Sequence, residues 1–296
     1  MSDGASRERR QVFHRAEELA ATLPPLLVAA ERVAATVSQG VHGRRRVGQG
    51  ETFWQFRRYQ PGDSTQRIDW RQSAKSQRVY IRETEWEAAQ TVWLWRDASP
   101  SMIYHSSGAW PQKIERAELL LLALASLLVR GGEHVGLLGD QIPPGSGRKA
   151  LHGLASALEQ RKSSDSVPAL EPLPRFARVV MFGDFLSPLE KIKARLGEFA
   201  GRGIRGHLVQ VVDPAEENLP FSGRVLFEGV EGEGKVLFGR TESVRDHYHA
   251  AVAAHRLGLK ELVRTAGWTL LTHHTDQSPQ PPLMALFMTL SQGAGR

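Results

Sequence analysis

The sequence predicts an α/β protein with a mostly parallel sheet and helices on both faces, and three observations carry that prediction. Short β-forming runs at 91–95, 134–138, 177–182, 206–212 and 268–272 alternate with apolar residues at helical spacing at 113–130, 148–160, 188–200 and 241–266. That alternation is the signature of helices crossing back between parallel strands. Asp97, Asp184 and Asp213 each directly follow an apolar run, which places carboxylates beyond the carboxyl ends of strands, where open α/β sheets bind ligands. The chain has 296 residues, enough for one such domain with an N-terminal appendage.

Taken in order, residues 9–39 carry apolar positions at helical spacing, interrupted by Pro24-Pro25. We expect one helix ending near Thr22 and another starting at the prolines. A glycine-rich basic loop follows at 40–50. In the block from Gly48 to Glu87, Pro61-Gly62-Asp63 signals a turn and 78–83 alternates like a strand. The helix at 113–130 ends at Gly131-Gly132, and the Ser- and Pro-containing stretch 162–174 reads as a linker or surface loop. Residues 213–220 read as a loop, 224–227 and 235–238 as a hairpin, and Thr241 as the N-cap of the helix it precedes. The loop after the last strand opens at His273, and a short helix at 281–290 closes the chain. The expected units are an N-terminal helical segment (1–40), a small β-rich lobe (41–89) and the α/β domain (90–296).

Composition narrows the function classes. Hydrophobic residues make up 41% and charged residues 24%, ordinary for a globular protein. The absence of cysteine excludes a disulfide framework and thiolate zinc sites. The longest apolar run, 117–129, falls short of the roughly 20 residues a bilayer crossing needs. The N-terminus, MSDGASRERR, is charged where a secretory signal would be apolar, so the expected location is the cytoplasm. All of the +6 formal charge lies in residues 1–80, which hold 14 Lys and Arg against 8 Asp and Glu. Such a basic patch suits nucleic acid, an anionic surface or an acidic partner, or is a solvated face.

The chemistry concentrates at TVWLWRDASPSM, residues 91–102. Asp97, Ser99 and Ser101 stand at alternate positions just past a strand, where a turning chain can bring one carboxylate and two hydroxyls together. These are hard oxygen ligands of the kind Mg²⁺ and Mn²⁺ prefer, and one charge leaves such a cation able to attract a partner's carboxylate. The D-x-S-x-S spacing resembles the metal-ion-dependent adhesion site of von Willebrand factor A domains, which implies a von Willebrand A-like (Rossmann-like) sheet over 90–296. That likeness implies a threonine from a second loop and an aspartate from a third. Asp184 in FGDF matches the aspartate, while GSGRKAL offers Ser146 instead of the threonine, with water as the alternative donor.

A second resemblance is more specific. G-x-G-x-x-F at 48–53, then Arg57, Tyr59 and Pro61-Gly62-Asp63, then Arg67, Ile68-Asp69-Trp70 and Ser73-Ala74 precede the D-x-S-x-S strand. This order resembles the bacterial family called domain of unknown function 58, from about Val41 onward. The resemblance implies a von Willebrand A-like domain and partnership with a MoxR-type AAA+ ATPase. Within the block, Arg58, Tyr59, Asp63, Arg67, Asp69 and Trp70 are candidates for either partner binding or a structural role, the charged ones in an ion-pair network. Its aromatic residues suggest packing more than base stacking.

The expected function is therefore a non-enzymatic, Mg²⁺- or Mn²⁺-dependent adaptor acting with a MoxR-type ATPase on client proteins. The rivals are nucleic-acid or anionic-surface binding through the basic N-terminal region, and a Mg²⁺-dependent hydrolase using Asp97 and Asp184. No nucleophile elbow or phosphate-binding glycine loop is present in the sequence. Adjacent His273 and His274 on an extended chain point to opposite sides and do not chelate one ion easily, so these and Asp276 are read as structural. A lysine or arginine head group in the space between Asp97 and Asp184 would remove the basis for the adaptor mechanism, in which a bound cation accepts a partner's carboxylate.

Overall fold

The computed structural model describes residues 25–41, 52–60, 68–76, 78–85, 90–160, 166–230, 232 and 234–292. The expected first helix, the basic loop after residue 41, the turn at 61–63, and Asp63 and Arg67 lie outside the described residues.

Five strands form the central sheet: β3 (Thr91–Arg96), β4 (His134–Leu137), β5 (Arg178–Gly183), β6 (Arg205–Val212) and β9 (Thr269–His274). They lie in the order β4-β3-β5-β6-β9, and every pairing is parallel. The chain leaves β3 for the β4 side and later leaves β5 for the β6 side, so the strand order reverses between β3 and β5. That reversal opens the crevice in which α/β sheets bind ligands.

Side chains of period 2 divide each strand between two cores. Val92, Leu94, Val180, Phe182, Val209 and Val211 face one side. Trp95, Val179, Met181 and Leu208 face the other. The first face is covered by α3 (Lys113–Arg130), α4 (Gly147–Gln160) and α8 (Gln280–Gln292), the second by α5 (Leu189–Gly201) and α7 (Arg245–Thr265).

Helix α1 (Pro25–Val41) lies over α3 and buries Leu27, Ala30, Ala34 and Val37, spaced at three to four residues along one stripe. Helix α3 is thus enclosed by the sheet on one side and α1 on the other. This explains why 120–128 is buried around its whole circumference and apolar except for Ser126. Among the described residues no helix is long and apolar enough to cross a membrane.

The lobe before the sheet consists of β1 (Thr52–Arg58) and β2 (Tyr80–Glu85), paired antiparallel, with the short helix α2 (Trp70–Ser73) between them. A second hairpin, β7 (Val225–Glu228) and β8 (Lys235–Phe238), stands apart from the central sheet.

Three local expectations are corrected. Residues 213–220 contain a short helix, α6 (Pro214–Asn218), because Asp213 accepts a hydrogen bond from Ala215 N and caps it. Thr241 does not cap α7. It begins a 3₁₀ turn (Thr241–Val244), is buried, and bonds Gly223 O through both its amide and its hydroxyl. The last strand runs on through His273 and His274, which continue the pairing with Val211 and Val212.

Candidate functional site

Asp97 follows β3 and Asp184 follows β5, so the two carboxylates flank the point where the strand order reverses. The β3 ladder extends one residue further, with Asp97 N donating to Phe182 O at 2.8 Å. Asp97 Oδ1 then accepts the amide of Ser99 at 2.8 Å, a side-chain turn that swings the chain away from the sheet. Pro100 starts a 3₁₀ turn (Pro100–Met102) that brings Ser101 back beside Ser99, their hydroxyls 3.0 Å apart. Ser101 Oγ donates to Asp184 Oδ2 at 2.7 Å.

Gly183 permits the approach of the two tips. A Cβ there would stand 2.9 Å from Asp97 Cβ and 3.2 Å from its Oδ2. Phe185 holds φ 53°, a left-handed turn directly after Asp184. It is fixed from both sides, since Gln210 Nε2 donates to Asp184 O at 3.1 Å and a His255 ring nitrogen lies 2.8 Å from Phe185 O. Asp213, at the tip of β6, accepts the amide of Ser106 at 2.9 Å and pins the loop that leaves the 3₁₀ turn.

The site also contains a side chain from outside the D-x-S-x-S motif. Lys113, the first residue of α3, is wholly buried, and its Nζ lies 2.9 Å from Asp184 Oδ2 while also contacting Glu216 Oε1. Its backbone amide donates to Tyr104 O at 3.1 Å, and its ammonium sits 6.0 Å from the Tyr104 ring centroid. Burial works against the charge, but Asp184 and Glu216 outweigh it and hold the Lys113 pKa above the usual lysine value. Lys113 is therefore an ammonium at neutral pH.

This bears directly on the expected metal set. Asp97, Ser99, Ser101 and Asp184 do assemble, yet the Asp184 oxygen that receives the Ser101 hydroxyl also receives the ammonium. A divalent ion placed there would meet a fixed positive charge, so this arrangement does not fit Mg²⁺ or Mn²⁺. Among the described residues no group of three or more His, Asp or Glu side chains is disposed to hold a metal.

Ser146, the proposed fifth ligand, is elsewhere. Past β4 the chain doubles back, and Gly145 exchanges both backbone hydrogen bonds with Val135. Val135 is level with Val92, so Ser146 lies toward the amino ends of the strands, roughly 16 Å short of Asp97 at about 3.3 Å per residue.

The described part of the signature block is held by capping and backbone hydrogen bonds. Asp69 Oδ1 caps α2 by accepting Gln72 N at 2.8 Å, Ser73 Oγ bonds Asp69 O, and Tyr80 N donates to Ser73 Oγ at 2.9 Å. Ile68 bridges Ile81, and Tyr59 N donates to Val79 O. Arg58 ends β1, exposed, opposite Tyr80. Trp70 is 68% exposed, against the expectation that it packs. His273 points inward and is buried, while His274 turns outward to Glu217, which also holds Arg256.

Sequence comparison matches residues 55–258 to a family described as "Protein of unknown function DUF58". Uncharacterized protein Rv1480 of Mycobacterium tuberculosis is 25% identical over 293 residues, covering 94% of this chain and 91% of its own length. Uncharacterized protein MAV169 of Mycobacterium avium is 31% identical over 106 residues, covering 36% of this chain and 62% of its own. Among solved structures, conserved hypothetical protein BatB from Bacteroides thetaiotaomicron aligns with 70% of this chain and 100% of its own at 18% identity, TM-score 0.37. An aerotolerance-related membrane protein from Bacteroides fragilis aligns with 70% of this chain and 98% of its own at 18% identity, TM-score 0.39.

Proposed function

This chain belongs to the DUF58 family, and we propose that it is a non-enzymatic protein-interaction module with a von Willebrand A-like sheet, an adaptor that works with a MoxR-type AAA+ ATPase on client proteins. The observation that carries this reading is the braced polar cluster at the strand reversal together with its rim. Ile103 lies two residues beyond Ser101 and is 52% exposed, and Leu186 lies two residues beyond Asp184 and is 53% exposed. Leu186 is set by its amide bond to Asp184 Oδ1 at 3.2 Å. Apolar side chains held out by a rigid polar base suit recognition of another protein surface. The ATPase as partner rests on the family resemblance.

The hydrolase alternative finds less support. A lysine acting as base must be neutral, and one beside a serine would need a lowered pKa, whereas Lys113 is held charged by two carboxylates. The same ammonium opposes the Mg²⁺ that the other hydrolase scheme requires.

Capture of the ATPase on immobilised protein tests the proposal. Ile103→Asp with Leu186→Asp is expected to lower capture by at least tenfold while the melting temperature stays within about 2 °C, since both side chains are exposed. Undiminished capture by this variant would overturn the assignment of the rim. Trp70→Ala, on the lobe, reports whether the signature block adds a second contact.

A further inference from the structure

We infer that Lys113 is a built-in cation: its ammonium holds the strand-end hydroxyls and carboxylates together in the way a divalent ion otherwise would, and so makes this site independent of metal. The inference rests on the geometry of the site and not on its reading as a partner face.

The placement of this lysine is electrostatically costly without such a role. Lysine is among the residues least often fully buried, and the first position of a helix carries the positive end of the helix dipole, which disfavours a cation. Lys113 is nonetheless at the first position of an 18-residue helix and wholly buried. Among the described residues its compensation comes from the site. Asp184 Oδ2 lies at 2.9 Å, Glu216 Oε1 is in contact, and the face of Tyr104 is at cation–π range.

From the ammonium, one continuous hydrogen-bonded path runs through Asp184 Oδ2 to Ser101 Oγ and Ser99 Oγ. A second runs through Glu216, whose other oxygen accepts Asp213 N at 2.9 Å. One ammonium thereby ties the tips of β3, β5 and β6, the geometric task of a central ion. Being internal, the charge stays in place whatever the cation concentration, and it repels any ion that would compete for Asp184.

The test uses the full chain purified in EDTA and then titrated with Mn²⁺ or Mg²⁺, reading the melting temperature and the free Mn²⁺ resonance signal. Wild type is expected to show no shift and no bound Mn²⁺ up to millimolar concentration. Lys113→Ala opens the space and leaves the carboxylates, so it is expected to melt lower in EDTA. Mn²⁺ should raise it by about 5 °C or more with one ion bound, and adding Asp184→Asn should abolish that response.

One equivalent of Mn²⁺ bound by wild type and lost in Asp184→Asn would overturn the inference. So would a folded Lys113→Ala that binds no Mn²⁺. Lys113→Ser, which keeps a polar atom at the helix start, serves if the alanine variant does not fold, and the wild-type arm stands in any case. No partner enters these measurements, so their failure is distinguishable from failure of the adaptor proposal.

Discussion

Lys113 and Gly183 do the most to shape the strand ends, one by charge and the other by having no side chain. Removing the ammonium leaves the buried Asp184 and the part-buried Glu216 without their shared cation, so Lys113→Met should cost about 2–4 kcal/mol in urea unfolding. Asp184→Asn in the same chain should recover part of that loss, a coupling that a double-mutant cycle measures. Gly183→Ala forces a methyl to within 2.9 Å of Asp97 Cβ and should cost about 1–3 kcal/mol.

Asp97, Ser99, Ser101 and Asp184 were legible because a β-forming run ending in alternate polar residues specifies its own turn. Lys113 was missed although a signal existed. Residues 113, 117, 120, 121, 124 and 128 lie on one helical stripe, and all are buried, so extending the apolar phase back one turn places the lysine inside. Ser146 misled because a serine near a strand says nothing about whether the chain reverses, and the reversal at Gly145 comes from a backbone pairing with no side-chain signature.

At the scale of elements, α6 couples two strand tips. Asp213 caps that helix with one oxygen and holds the amide of Ser106 with the other, so a single carboxylate fixes both the helix start and the loop that follows Ile103. Asp213→Ala should therefore cost about 1–2 kcal/mol for the cap. It should also raise amide exchange in the 103–107 loop, which hydrogen-exchange mass spectrometry detects; unchanged exchange there would separate loop from cap.

The central strands and the long helices could be read directly, since their period and length are strong signals. The extension of β9 across two histidines and the burial of Thr241 could not. Both are decided by tertiary pairing, with β6 in one case and Gly223 in the other.

For the whole molecule, two packed faces and a pH dependence follow. Gly206 lets the Trp268 ring lie directly on β6, where a Cβ would come within 2.1 Å of the ring. Gly206→Ala should destabilise the second face by about 1–3 kcal/mol.

Burial pushes His273 down to about 4, with Arg116 nearby adding to the effect, and His207 down to about 4, with Arg178 adding. Unfolding lets both rings take protons near pH 6.5, so the unfolded chain binds more protons between about pH 6.5 and 4. Stability should then fall as pH drops through that window and stay flat above it. The buried His273 contributes up to about 3 kcal/mol, and the more accessible His207 less. Urea midpoints at pH 7 and pH 5 check this, and His273→Gln should flatten the slope.

The fold class was available from alternation of strands and helices alone, and the position of the site from the acidic residues at the strand ends. The identity of the positive charge there was not, because it depends on which side chain turns inward on a helix that starts 16 residues after Asp97.

ATPase capture by wild-type protein in EDTA, repeated with millimolar Mg²⁺, tests the account at its centre. Equal capture in both buffers is predicted, because Lys113 supplies the cation. Capture that vanishes in EDTA and returns with Mg²⁺ would contradict it.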